Sequence, residues 1–227
     1  MRILVLSDTH GDNSRAYQVF DKIKKEAPVD LSIHCGDYYK DAIQISERTG
    51  VPMVWVKGNT DGAFSDNDYA IVDTPYGNLL VTHGHMEGVG FSQQNLYYKA
   101  LEKDCVGALY GHTHCAAFTE AGGIYLLNPG SLTNPRDGSG GTFAIIVAEP
   151  DYFRGYIHRY EDFMAKSSDT GSSGSGGSSG GSSDGSSGGS SDGSSGGSSG
   201  GSSGGQGSKP KVQGGYLRSL LNYSDRF

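Results

Sequence analysis

Five short clusters in this chain contain side chains able to bind metal ions. They are Asp8-Thr9-His10, Gly36-Asp37, Gly58-Asn59-Thr60-Asp61, His83-Gly84-His85 and Gly111-His112-Thr113-His114. Each follows directly on an apolar segment. Asp, Asn and His together offer mixed oxygen and nitrogen donors, a set that suits Mn, Fe, Zn or similar ions. A carboxylate has two oxygens and can serve two ions at once. A glycine beside a ligand lets the backbone turn sharply and approach closely. Two cations a few Å apart can hold a bridging hydroxide and clamp the attacking and leaving oxygens of a phosphoryl displacement. Taken singly, each cluster is weak. A lone histidine is more often a surface or core residue, and Asp37 alone could be a turn or cap residue. Five in succession, each closing an apolar strand, make the case.

The elements that must position these clusters follow from periodicity. Ile3–Leu6, Leu31–His34, Met53–Val56, Leu79–Thr82, Gly107–Tyr110, Ile124–Leu127, Phe143–Ala148 and Arg154–His158 read as strands. The early ones are continuous apolar runs, as expected of strands buried on both faces. Ser14–Glu26, with Ser14 as its N-cap, Asp41–Arg48, ended by Gly50, and Phe91–Lys103 read as helices. The order is β-α-β-α-β first and mostly strands afterwards. It predicts α/β character in the first half and antiparallel sheet in the second, an α/β (α+β) class best met by a two-sheet sandwich flanked by helices. No G-x-G-x-x-G follows the first strand and no G-x-x-x-x-G-K-[ST] occurs, so dinucleotide and P-loop readings fall.

In this order the five clusters resemble the signature of the calcineurin-like metallophosphoesterases, and in particular their small YfcE-type phosphodiesterases. Asn128-Pro129-Gly130-Ser131 and Pro135-Arg136 resemble that subfamily too. The resemblance covers almost all of the foldable chain. It implies a four-layer α-β-β-α sandwich of two mixed sheets and a dinuclear metal site that hydrolyses phosphodiesters through a metal-bridging hydroxide. It puts Asp8, His10 and His114 on one metal and Asn59, His83 and His112 on the other, with Asp37 bridging. The ions implied are two divalent cations, Mn first, with Fe, Zn, Co or Ni as alternatives. Asn59, Asp61 and His85 are the candidate catalytic residues, and His85 and Arg136 the candidate contacts to substrate phosphate. Many relatives carry histidine where this chain has Thr60, a poor acid at neutral pH. That leaves His85 as the candidate for acid or phosphate contact, against a purely structural role, and Asp61 as a residue that orients histidines or backbone donors.

The remaining chemistry-bearing residues receive quieter readings. His34 and Cys35 are expected in the core, Trp55 likewise, and His158 on the surface. Tyr97 and Tyr98 are read as helix packing. Cys115 could ligate or oxidise but is read as packing.

Composition bounds the rest. Residues 167–208 comprise 20 Ser, 17 Gly, 3 Asp, one Thr and one Gln. With no apolar side chain, this stretch is expected to be a flexible linker. The foldable domain is therefore 1–166. Residues 209–227 carry Tyr216, Leu217, Leu220, Leu221 and Tyr223 behind Lys209 and Lys211. They are read as a docking peptide for a protein partner or for the chain's own domain. The domain holds 14 Lys and Arg against 21 Asp and Glu, a balance that disfavours a long nucleic-acid polyanion and leaves a small phosphodiester as the expected substrate. No apolar run approaches the roughly 18–20 residues of a membrane span, and Arg2–Leu6 is too short for a signal peptide. Cys35, Cys105 and Cys115 are an odd number without CxxC, which predicts reduced thiols and a cytoplasmic setting. The alternative function is a non-catalytic metallophosphoesterase-fold scaffold that binds proteins through the C-terminal peptide.

Overall fold

The computed structural model describes residues 1–62 and 67–166. The expected linker 167–208 and docking peptide 209–227 lie outside the described residues.

Two five-stranded mixed sheets face each other. The first contains β1 (Arg2–Leu6), β2 (Leu31–His34), β3 (Met53–Trp55), β9 (Thr142–Glu149) and β10 (Tyr152–Arg159), in the order β10-β9-β1-β2-β3. The second contains β4 (Tyr69–Thr74), β5 (Gly77–Thr82), β6 (Gly107–Leu109), β7 (Ala117–Ala121) and β8 (Ile124–Asn128), in the order β4-β5-β6-β8-β7. Strands β1, β2 and β3 run parallel, as do β5, β6 and β8. The others pair antiparallel.

The period of two along each strand sorts its side chains between layers. Ile3 and Val5 of β1 join Ile33, Leu79, Val81, Leu109 and Leu127 in the core between the sheets. Leu4 and Leu6 point the other way, onto Ala16, Val19, Phe20 and Ile23 of α1 (Ser14–Glu26) and Ile45 of α2 (Tyr39–Thr49). Leu80, Ala108 and Leu126 cover the outer face of the second sheet against Leu96 and Ala100 of α3 (Gln94–Glu102). A short α4 (Tyr160–Ala165) adds Tyr160 to the first helical layer. The architecture is a four-layer α-β-β-α sandwich, and its central strands are apolar throughout because both faces are covered.

Three local readings are corrected. Ser14 is the first helical residue of α1, not its cap; Asn13 precedes it and makes no capping bond, while the Asp12 carboxylate accepts the Ser14 N–H. His158 is packed rather than free on the surface, stacked on the Phe143 ring and edge-on to Phe163, and burial lowers its pKa. Trp55 is only half-buried and stacks on Tyr39, because β3 is the edge of its sheet. All three cysteines are free. Burial raises the Cys35 thiol well above its ordinary value and that of Cys105 to about 11, so neither is a thiolate at neutral pH. No helix of the described residues is long and apolar enough to cross a membrane.

Candidate metal centre

The parallel strands of both sheets deliver their C-terminal loops to one place. β1 ends in Ser7-Asp8-Thr9-His10, β2 in Cys35-Gly36-Asp37, and the loop after β3 carries Asn59. From the other sheet, β5 ends in His83 and β6 leads through Gly111 to His112 and His114.

The donors form two groups. In the first, ligand atoms of Asp8, His10, Asp37 and His114 all lie within 4.8 Å of one another. His114 Nε2 is 3.3 Å from Asp8 Oδ1 and 3.2 Å from His10 Nε2. In the second, Asn59 Oδ1 is 3.1 Å from His83 Nε2 and 3.0 Å from His112 Nδ1. Asp37 stands between them, with Oδ2 3.9 Å from His10 Nε2 and Oδ1 3.4 Å from His83 Nε2.

The tautomers follow from the outer partners. His83 Nδ1 faces the Cys35 carbonyl at 2.8 Å and His114 Nδ1 faces the Asn134 carbonyl at 2.6 Å. A carbonyl only accepts, so Nδ1 carries the proton in both rings and Nε2 of each neutral ring presents a bare lone pair. Those lone pairs point at carboxylate and amide oxygens, which also only accept. Acceptors converging on acceptors require a cation or a proton between them. Asp8 Oδ1 adds to this: it is buried and has no hydrogen-bond partner. The donor set is therefore chemically fitted to hold metal.

In the absence of metal, protons partly fill the gap. Burial raises the Asp8 carboxyl, but the His114 hydrogen bond, nearby His83 and the Ser7 hydroxyl outweigh it and hold Asp8 below the usual carboxylate range. Burial lowers His114, and the bond and charge of Asp8 overcome this and raise it. His112 is lowered by burial and by His83.

The backbone is held in costly conformations here. Among the described residues, seven non-glycine residues have left-handed φ, and six of them are Asp8, His10, Asp37, Tyr38, His112 and His114. Such conformations persist only where surrounding structure dictates them and concentrate at functional sites. Glycines give the approach: a Cβ on Gly58 would run into Asp37, and one on Gly111 into Ser7 and the Asp8 carboxylate.

The other predicted residues stand further out. Asp61 accepts the backbone N–H groups of Tyr39 and Gly58 at 2.9 and 2.8 Å, joining the start of α2 to the Asn59 loop. The His85 ring is 5.3 Å from that of His83 and 6.2 Å from that of His112. Burial and His83 lower its pKa, so it is a neutral imidazole near pH 7. Arg136 is exposed; its backbone N–H donates to the His114 carbonyl. Thr60 donates its N–H to Asp37 Oδ1.

Several residues that the motifs did not single out hold the loops in place. The Thr9 hydroxyl donates to Asp41 Oδ2, which also takes the Gly11 N–H, and His34 Nε2 lies 3.0 Å from Thr9 Oγ1. Ser131 donates to the Asp8 carbonyl and Asn128 to that of Gly111, so the Asn128–Ser131 turn ties both sheets at the centre. Glu87 is buried against Lys99 and Thr82 and anchors the His85 loop. The sequence signal for Asp41 was its place in the first turn of a helix, which reads equally as a dipole partner.

Comparison with known proteins agrees with this geometry. Residues 1–151 match the model of the calcineurin-like phosphoesterase superfamily domain. The chain belongs to this superfamily. It is 34% identical over 151 residues to the probable metallophosphoesterase YsnB of Bacillus subtilis, covering 66% of this chain and 86% of that protein. It is 35% identical over 170 residues to the phosphodiesterase YfcE of Escherichia coli, covering 64% of this chain and 87% of YfcE. A crystal structure from Streptococcus pneumoniae, described as a conserved uncharacterized protein and predicted phosphoesterase, superposes with a TM-score of 0.60 at 29% identity. That match covers 70% of this chain and 90% of the other. The superfamily is metal-dependent, and the Asp/His cluster of this member could bind metal.

Proposed function

We propose that this chain is a metal-dependent phosphodiesterase with a dinuclear centre, in which Asp8, His10 and His114 hold one divalent cation, Asn59, His83 and His112 hold the other, and Asp37 serves both. One observation carries the reading: the two Asp37 oxygens face different donor groups, one toward His10 and one toward His83. Manganese is the first choice of ion because all donors are oxygen or nitrogen and no thiolate takes part. Three free cysteines go with a reducing, cytoplasmic compartment. A cation pair would supply an acidified water as nucleophile and neutralise charge on the phosphoryl oxygens.

The chain's own residues do the positioning. The Cys35 and Asn134 carbonyls hold His83 and His114 in the tautomer whose Nε2 faces inward. Asp61 fixes the Asn59 loop against α2 through two backbone N–H groups. His85, neutral and partly exposed, has an N–H to offer a phosphoryl oxygen. Arg136, exposed on the loop beside His114, is a second phosphate contact in this reading. Thr60 cannot protonate a leaving oxygen at neutral pH, which favours esters whose leaving group departs without such help.

The test is hydrolysis of bis(p-nitrophenyl) phosphate against p-nitrophenyl phosphate by the full chain loaded with Mn, Fe, Co, Ni or Zn. Turnover of the diester that chelation abolishes and Asp37→Ala eliminates is expected. No turnover with any of the five ions would defeat the proposal.

A further inference from the structure

Tyr38 is an odd residue for its position. It precedes α2 and sits at φ 68°, ψ 61°, where asparagine or glycine rests at lower cost. Its backbone carbonyl accepts the Asp41 N–H, a job any residue could do. A side chain tolerated in so costly a conformation normally compensates by burial, yet Tyr38 is 42% exposed. What the ring does touch is the metal centre. Its centroid is 5.2 Å from that of His10, edge to face at 68°. It also lies over Gly11, whose missing Cβ would stand 3.6 Å from Tyr38 Cε1. The ring is thus a standing aromatic wall beside one donor group, open to solvent where a substituent on the phosphorus would emerge.

We propose that Tyr38 determines specificity, selecting phosphodiesters that carry a planar aromatic or heteroaromatic ester arm, which packs on its ring. This rests on the phosphodiesterase reading and adds the chemical class of the substrate. Offset or edge-on aromatic packing of this kind accounts for about a fivefold preference.

The experiment measures binding, not turnover. Phenylphosphonate and methylphosphonate are titrated calorimetrically into the Mn-loaded full chain; both present the same phosphonate and differ only in the arm. Wild type is expected to bind the phenyl compound about fivefold more tightly. Tyr38→Phe keeps that ratio, and Tyr38→Asn, which suits the left-handed backbone, brings it to one, with thermal unfolding used to verify that both variants fold. A ratio near one in wild type, or a ratio unchanged in Tyr38→Asn, overturns the inference while leaving the hydrolase reading standing. Binding of neither compound overturns the inference together with the metal centre beneath it. A preserved ratio without any diester hydrolysis upholds the inference and defeats the phosphodiesterase reading alone.

Discussion

His34 makes folding stability depend on acidity in a way that can be worked out in advance. The ring is fully buried, and burial is the main cause of a pKa pushed down to about 4. Its Nε2 meets the Thr9 hydroxyl, which itself donates to Asp41, so the Nε2 proton goes to Thr9 and Nδ1 is left without a partner. The folded state therefore keeps His34 neutral where the unfolded chain, with the ordinary value near 6.5, takes up a proton. Between those two values the unfolded state binds more protons, so stability rises with pH and falls as the pH drops from 6.5 toward 4. The whole window amounts to about 3 kcal/mol at 1.36 kcal/mol per pH unit, and the step from pH 7 to pH 5 to about 2 kcal/mol. With a urea slope of about 2 kcal/mol/M, the midpoint at pH 5 should lie about 1 M below that at pH 7 from this residue alone. The assay is urea unfolding of wild type and His34→Gln at both pH values. The variant is expected to be less stable at pH 7, because it loses packing and a hydrogen bond, but to show a pH dependence smaller by about 2 kcal/mol. Equal pH dependence in the two proteins would refute the reasoning.

Other outcomes follow from the centre itself. Gly58→Ala puts a methyl group into the Asp37 carboxylate; calorimetry should show cation affinity reduced at least about a hundredfold, with about 1–3 kcal/mol lost in stability from overpacking. Wild-type affinity in the variant would contradict the role given to Asp37. Asp61→Ala leaves the Tyr39 and Gly58 N–H groups unpaired. It should cost about 2 kcal/mol in denaturant unfolding and lower diester turnover although no cation donor has changed. Because the His114 pKa is raised by Asp8, a proton competes with the cation there. Metal affinity should weaken as pH falls, with proton release on binding, seen as a dependence of the calorimetric heat on buffer. A heat independent of buffer ionisation would rule this out.

Much of the fold was legible because the central strands are buried on both sides. Ile3–Leu6, Leu31–His34 and Leu79–Thr82 have no polar face to blur them, and each breaks into a polar cluster where the sheet ends. Strands β4 and β7 escaped notice for the opposite reason. Both are edges, with alternating or continuous exposure and residues such as Asp73, Thr119 and Glu120, so their pairing depends on a neighbour rather than on their own pattern. The six-residue α4 is too short for a helical period to show, and its packing of Phe163 under His158 depends on contacts far apart in sequence. At the centre, the residue types and order of Asp8 through His114 pointed to cation chemistry. What they could not convey was which nitrogen faces inward. That is decided by the Cys35 and Asn134 carbonyls, backbone groups without any sequence signature. The Thr9–Asp41–His34 chain was likewise hidden, since nothing in a linear sequence joins a loop threonine to a strand histidine.

The left-handed residues around the centre set heat resistance and catalysis against each other. Asp8, His10, His112 and His114 each occupy backbone that asparagine or glycine would accept with less penalty. Exchanging one of them would remove a donor and relax the loop in a single step. Selection for activity must keep rejecting changes that make the protein sturdier. Should that selection lapse, the same two sheets would drift toward a tougher, inert body with its surfaces free for other employment, so hydrolysis is the property this architecture sheds most readily.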